Sequence, residues 1–262
     1  MFHITTKDLD IAYKLNFNTP NDLYTIHCHD FYELILFIKG ECIFHVEGNS
    51  RHLKGGDIIL IQPNEHHFAD VDHSIDYERF VLKFSPSILT DNLRKRAQDC
   101  SHFFEKNIFF DSIIKQLDYY SRQFNDEEMA YLCKCKIYEL ILLLSYATKI
   151  LRQREEDQDS IISKTIDYIL NHLSEDITIE KIAKHLGLSE SYIRAKFKES
   201  MNVSLMKYVR AKKCFLAKEM ILEGKKPSLV AKELNFHDYS TFYRDYVKCN
   251  GNTPNHDYSI AK

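Results

Sequence analysis

No stretch of this sequence is long and apolar enough for a membrane-spanning helix, which needs about 18 or more such residues. The longest candidate, YELILLLSYATKIL (Tyr138 to Leu151), falls short, so no membrane partner is expected. The opening MFHITTKDLD lacks the basic region and following apolar run of a secretory signal, and the expected location is the cytoplasm. Cysteine pairing is missing too. The seven cysteines, Cys28, Cys42, Cys100, Cys133, Cys135, Cys214 and Cys249, are odd in number and scattered, with no C-x-x-C. That pattern argues against a disulfide framework and for small buried hydrophobes in a reducing compartment. Cys133 and Cys135, two apart in a helical segment, face different ways.

What is present suits two domains of ordinary size. The chain has 262 residues, 44% hydrophobic and 28% charged, enough to bury well-packed cores. Its formal net charge of −3 is unevenly spread. From Ser160 onward there are 17 Lys+Arg against 12 Asp+Glu, a net of +5, which leaves −8 for residues 1–159. A basic C-terminal part beside an acidic N-terminal one points to a polyanionic partner for the former.

The first third reads as strands. Leu23 to Cys28, Tyr32 to Ile38, Glu41 to Glu47, Asp57 to Ile61 and Tyr77 to Phe84 are rich in β-branched and aromatic residues, with turn residues between them. Short strands at regular spacing predict a small barrel or sandwich in residues 1–85. Helical periodicity follows in residues 86–152, at Asp111 to Phe124 and Glu127 to Arg154. The stripe Leu132, Ile137, Leu140, Ile141, Leu144 and Ala147 is read either as core packing or as a dimer contact. QREEDQDS, Gln153 to Ser160, is the expected linker, and residues 161–262 are helical.

That last segment contains a repeat. IAKHLGLS (Ile182 to Ser189) and VAKELNFH (Val230 to His237) share their pattern, with Ala183 and Ala231 48 positions apart. In the first copy, Thr178 caps a helix to Leu186, Gly187 turns the chain, and Ser189 caps a second helix from Glu190 to about Ser200. This is a helix-turn-helix pattern, whose second helix enters the major groove and here exposes Ser191, Tyr192, Arg194 and Lys198. In the second copy Pro227 opens the first helix, and a second helix from about Asp238 to Lys248 exposes Tyr239, Ser240, Tyr243 and Arg244. A connecting helix, about Ser204 to Leu222, spans roughly 28 Å. That is comparable with the roughly 34 Å between successive major grooves on one face of DNA.

NFHDYSTFYRDYVKCNGNTP (Asn235 to Pro254) and LSESYIRAKFK (Leu188 to Lys198) give this region its resemblance to the DNA-binding domain of the AraC/XylS family of bacterial transcription regulators. Phe236, Asp238, Ser240, Phe242, Arg244, Gly251, Thr253 and Pro254 match the family signature. The resemblance places DNA-contacting positions on Ser191, Arg194 and Ala195, and on Tyr239, Ser240, Tyr243 and Arg244. Departures occur at Ala195, where arginine is common, and at Lys196, which replaces an apolar residue. Asn235 stands for the turn glycine, and Lys213 for an arginine.

HCHDFYELILFIKG (His27 to Gly40) and GDIILIQPNEHH (Gly56 to His67) resemble the two motifs of a cupin barrel, the sensor that such regulators often carry, and the resemblance implies an arm over the barrel mouth in the first twenty residues. His27, His29, Glu33 and His67 fill the four ligand positions of metal cupins, yet the same groups can bind an effector's hydroxyls. The expected fold class is therefore α+β in two domains, a cupin-like β-barrel with following helices and an all-α domain with two helix-turn-helix units. No enzymatic activity, cofactor or resident metal is expected. Expected effector-binding residues are His27, His29, Glu33, His67, Tyr24 and Arg79, with Phe37, Phe44, His45 and Tyr77 as weaker candidates. The implied partners are double-stranded promoter DNA, a small-molecule effector such as a sugar, RNA polymerase and a second copy of the chain, with activation as the family's usual output. The alternative is a metal-dependent cupin sensor or enzyme fused to a DNA-binding domain, with His27, His29, Glu33 and His67 as the metal ligands.

Overall fold

In YELILFIK the residues alternate between two buried surfaces, which explains why a single strand is apolar nearly throughout. The computed structural model describes residues 3–16, 26–72, 74–106, 108–154 and 161–261. It divides into two compact units, residues 1–158 and 159–262, and each is treated on its own.

Unit 1 contains two antiparallel sheets. The larger has the order β1 (His3–Thr5), β2 (Leu9–Asn16), β8 (Tyr77–Phe84), β3 (Tyr32–Lys39), β6 (Ile58–Ile61), β9 (Phe103–Phe104). The smaller has the order β5 (Asn49–His52), β4 (Cys42–Val46), β7 (His67–Val71). Glu47 and Gly48, both at positive φ (46° and 79°), form the two-residue turn that aligns Val46 with Asn49 in the β4–β5 hairpin. Three helices follow, α1 (Asp91–Gln98), α2 (Ile108–Tyr120) and α3 (Asp126–Arg154).

Strand alternation assigns the two cores. Leu34, Leu36, Ile58, Leu60, Phe80 and Leu82 pack with Leu117, Ile137, Leu140 and Leu144 of α2 and α3. Ile35, Phe37, Ile59 and Ile61, on the opposite face of the larger sheet, pack against Phe44, Val46 and Ala69 of the smaller. The helices thus share a core with the strands and belong to the same compact unit.

Several expectations are corrected here. Among the described residues the strands form two facing sheets, not a closed barrel. Residues 9–16 are not an arm but a sheet strand, paired with β8 from Leu9↔Phe84 to Asn16↔Tyr77. Of the strand expected from Leu23 to Cys28, residues 23–25 lie outside the described residues, and Cys28 is in no strand. Of the two readings of the α3 stripe, core packing is the one that holds: Ile137, Leu140, Ile141 and Leu144 are buried, with Leu132 and Ala147 partly buried against them, while Tyr131, Leu142 and Tyr146 are exposed. The linker residues Gln153 and Arg154 continue α3, while 155–160 lie outside the described residues.

Unit 2 is α4 (Ile161–Asn171), α5 (Ile179–Leu186), α6 (Glu190–Met201), α7 (Leu205–Leu222), α8 (Pro227–Glu233), α9 (Tyr239–Asn250) and α10 (Pro254–Ile260). The Thr178 and Ser189 hydroxyls accept from the backbone N–H of Lys181 and Tyr192, capping α5 and α6. Gly187 takes the left-handed conformation (φ 67°) between them, as Asn235 (φ 56°) does after α8. Asp238 caps α9 by accepting from Thr241 N–H at 2.8 Å. Lys213, buried on α7, donates to the carbonyls of Glu175 and Leu234 at 2.8 Å each. Burial, more than any neighbouring charge, lowers its pKa.

Candidate functional site

A cavity of about 320 Å³ opens between the sheets of unit 1. Its floor is apolar, from Ile35, Phe44, Ala69, Tyr77 and Val81, and its polar groups are Lys14, His27, Glu33, His67, Arg79 and Lys83. The lining follows from strand geometry. Residues 33 and 35 of β3 and residues 77, 79, 81 and 83 of β8 turn to the same face, opposite to the helices. The Arg79 guanidinium lies over the Tyr77 ring, 4.5 Å from its centre.

Three imidazoles meet at one side. His67 is buried, its ring centre 4.2 Å from that of His27 and 4.8 Å from that of His29. His29 Nε2 lies 2.7 Å from Glu33 Oε2 and its Nδ1 3.0 Å from the Phe31 carbonyl, two acceptors between which a neutral imidazole has one N–H to give. His67 Nδ1 donates to the Glu65 carbonyl at 2.9 Å, which turns Nε2 toward Glu33 at 3.7 Å. Among the described residues that Nε2 has no hydrogen-bond partner. Burial alone would raise the pKa of Glu33. The hydrogen bond from His29, the approach of His67 and the Lys83 charge at 3.5 Å outweigh it and hold the carboxyl well below its usual range.

One ligand atom from each of His27, His29 and His67 lies within 4.8 Å of the others, and His67 is anchored through Nδ1 to a carbonyl, as metal-binding imidazoles are. These residues fit a divalent ion, provided they draw together to reach bond lengths of about 2.0–2.1 Å.

The structure therefore brings His27, Glu33, His67 and Arg79 to the cavity, with His29 beside it stacked on Phe31. Phe44 and Tyr77 also line it. Phe37 lies in the core between the sheets, and His45 pairs with Asp70 at 3.1 Å outside the lining. Tyr24 lies outside the described residues. Lys14 and Lys83 escaped the sequence reading; the alternation of Arg79, Val81 and Lys83 in a strand that was recognised could have found the second.

In unit 2 the other candidates share two exposed faces. On α6, Ser191, Tyr192, Arg194 and Lys198 are exposed while Ile193 and Phe197 are buried. Arg194 reaches Glu190 on its own helix at 3.2 Å, and Lys196 projects outward to Glu199 at 3.0 Å. On α9, Tyr239, Ser240, Tyr243 and Arg244 are exposed opposite the buried Phe242 and Tyr246.

Residues 14–123 match the AraC-like ligand binding domain family, and residues 182–257 match a helix-turn-helix domain family. A probable transcriptional regulator, LumQ of Photobacterium leiognathi, is 24% identical over 233 residues, covering 88% of this chain and 90% of its own. The arabinose operon regulatory protein of Salmonella typhimurium is also 24% identical, over 85% of this chain and 82% of its own. Among solved structures, ToxT of Vibrio cholerae is similar over 98% of this chain and 99% of its own, at 10% identity and a TM-score of 0.42. A ligand-binding domain and a helix-turn-helix domain in one chain define a DNA-binding transcription regulator, not an enzyme. The chain matches regulators of the AraC/XylS family that carry an N-terminal sensor domain.

Proposed function

We propose that a small molecule held in the cavity of unit 1 governs how α6 and α9 engage promoter DNA. Each helix lies in a major groove, α6 through Ser191, Tyr192, Arg194 and Lys198, α9 through Tyr239, Ser240, Tyr243 and Arg244. The observation that carries this reading is the division of α9. Phe242 and Tyr246 are fully buried, while two tyrosines and an arginine stand exposed on the other side. Exposed aromatic and cationic side chains on a capped helix suit base edges and phosphates. Control requires the effector to favour one arrangement of the protein over another, since equal affinity for both shifts nothing. The output is activation through RNA polymerase, by a homodimer. The effector is a hydroxylated small molecule, a sugar or a sugar derivative. The arabinose operon regulators supply the precedent, and the polar His27–Glu33–His67 side above an apolar floor supplies the chemistry.

The test is DNA binding at fixed salt, on a fragment that the protein itself selects from a random pool. Arg244→Ala should weaken binding by about 1–3 kcal/mol if the side chain reads a base. Unchanged affinity would remove it from the interface.

The three-imidazole cluster favours a second reading, in which a divalent ion in the cavity is part of the sensor. Elemental analysis of protein prepared without a tag then finds about one equivalent, absent from the His27→Ala/His29→Ala double variant. Metal-free protein that still answers its effector sinks that reading.

A further inference from the structure

The cavity's charges are out of balance. In the β2–β8 register Lys14 stands directly opposite Arg79, Ala12 opposite Val81 and Asp10 opposite Lys83. Directly paired residues of an antiparallel ladder project to the same face, so Lys14 and Arg79 enter the cavity side by side, with Lys83 four residues along β8. Like charges placed directly opposite destabilise a sheet. Among the described lining residues the one carboxylate is Glu33, already held by the His29 hydrogen bond and the Lys83 charge; Asp10, on the same face beyond the lining, stands opposite Lys83 and accepts from the Thr5 hydroxyl at 3.2 Å. Lys14 is half-buried and, among the described residues, makes no hydrogen bond or ion pair. Its ammonium is disfavoured first by burial and then by the charges of Lys83 and Arg79, which Glu33 and Asp10 offset in part.

Such an arrangement is costly to a free protein unless something anionic completes it. Apolar walls and restricted solvent strengthen the pull of the three cations on a negative ligand. We propose that the effector carries a carboxylate or phosphate group, which sits between Lys14 and Arg79 within reach of Lys83, while its hydroxyls face His67 and Glu33. The class is thus an acidic sugar derivative or similar hydroxylated organic acid, not a neutral sugar. A planar guanidinium suits either oxyanion through paired N–H donors, and about 320 Å³ is at the small end of ligand pockets. The orphaned Nε2 of His67 is a ready partner for a hydroxyl. This inference rests on the reading of the cavity as the effector site.

Thermal unfolding of the 262-residue chain, with a chelator present to remove metals, tests it. The probes are matched sets, namely glucose, glucuronate and glucose 6-phosphate, then galactose and galacturonate, together with inorganic phosphate against chloride at equal ionic strength. At least one acid or phosphate should raise Tm where its neutral partner does not, and should bind at least tenfold more tightly by calorimetry. Both effects should disappear in Lys14→Glu and in Arg79→Met. Lys14→Glu should also raise the Tm of the ligand-free protein, because it replaces a like-charge pair by an opposite one. No stabilisation by any anion beyond that of chloride, together with a Lys14→Glu variant no more stable than the parent, overturns the proposal. Stabilisation by neutral sugars that survives in Lys14→Glu also overturns it, while leaving the cavity as the effector site. An anion effect that persists in both variants puts the binding elsewhere and removes both readings.

Discussion

Asp238 shows how much one side chain at a helix start can carry. Its Oδ1 accepts from the Thr241 backbone N–H at 2.8 Å and its Oδ2 from the Thr241 hydroxyl at 2.9 Å. The backbone hydrogen bond, then the hydroxyl and His237, lower its pKa from 3.8 to about 2. A carboxyl with a depressed pKa stabilises the folded state fully above its unfolded value, and the contribution fades as pH falls from about 4 toward 2. Asp238→Asn keeps an acceptor at the cap but cannot titrate. The stability gap between the parent and this variant should narrow through that window, read by chemical denaturation at a series of pH values. A gap independent of pH would mean that the carboxylate charge contributes nothing. At this scale Thr178 and Ser189 are legible as caps from sequence, because a cap depends on residues three apart, whereas Asp238, expected as the first residue of its helix, is the cap one position before that helix begins. Lys14 is not legible, because its role depends on a strand 65 residues away.

Among the elements, α3 has an outer face that its own unit leaves uncovered. Tyr131 is 67% exposed, Leu142 47% and Tyr146 66%. Cys135 is exposed as well, and the spacings of 4, 7 and 4 place all four on one stripe of the helix. We propose this stripe, rather than the buried one, as the contact between two copies. Sedimentation velocity should find a dimer in the parent, with Leu142→Asp/Tyr146→Ala weakening it at least tenfold, about 1.4 kcal/mol. A parent that stays monomeric at micromolar concentration counts against the stripe. The helical period of α3 is plain in the sequence, but which apolar positions face inward is settled by the sheet, since Leu140 and Leu142 are equally apolar as residues. Helix α1, DNLRKRAQ, illustrates the opposite case. Its residues are mostly polar, and Leu93 and Ala97 alone are buried, so too little periodicity remains to be seen. Likewise β5, NSRH, is polar and lies at a sheet edge, where pairing with β4 rather than composition makes it a strand.

At the scale of the whole molecule, the two helix pairs of unit 2 were the most legible part, because the caps at Thr178 and Ser189 and the turn at Gly187 are written in local residues and the pattern occurs twice. The cavity of unit 1 was half legible. His27, His29 and Glu33 stand in one short motif, and Arg79 and Lys83 share the alternation of one strand, whereas Lys14 enters through a strand pairing that no local pattern encodes. The tie at Lys213 has a further consequence. By joining the carbonyl of Glu175, before the first helix pair, to that of Leu234, at the end of α8, it braces both pairs against α7. On the proposal that α6 and α9 read DNA, such bracing holds their relative phase. A binding site lengthened by half a turn, about five base pairs, would carry its second block to the far side of the double helix, beyond reach of the same subunit.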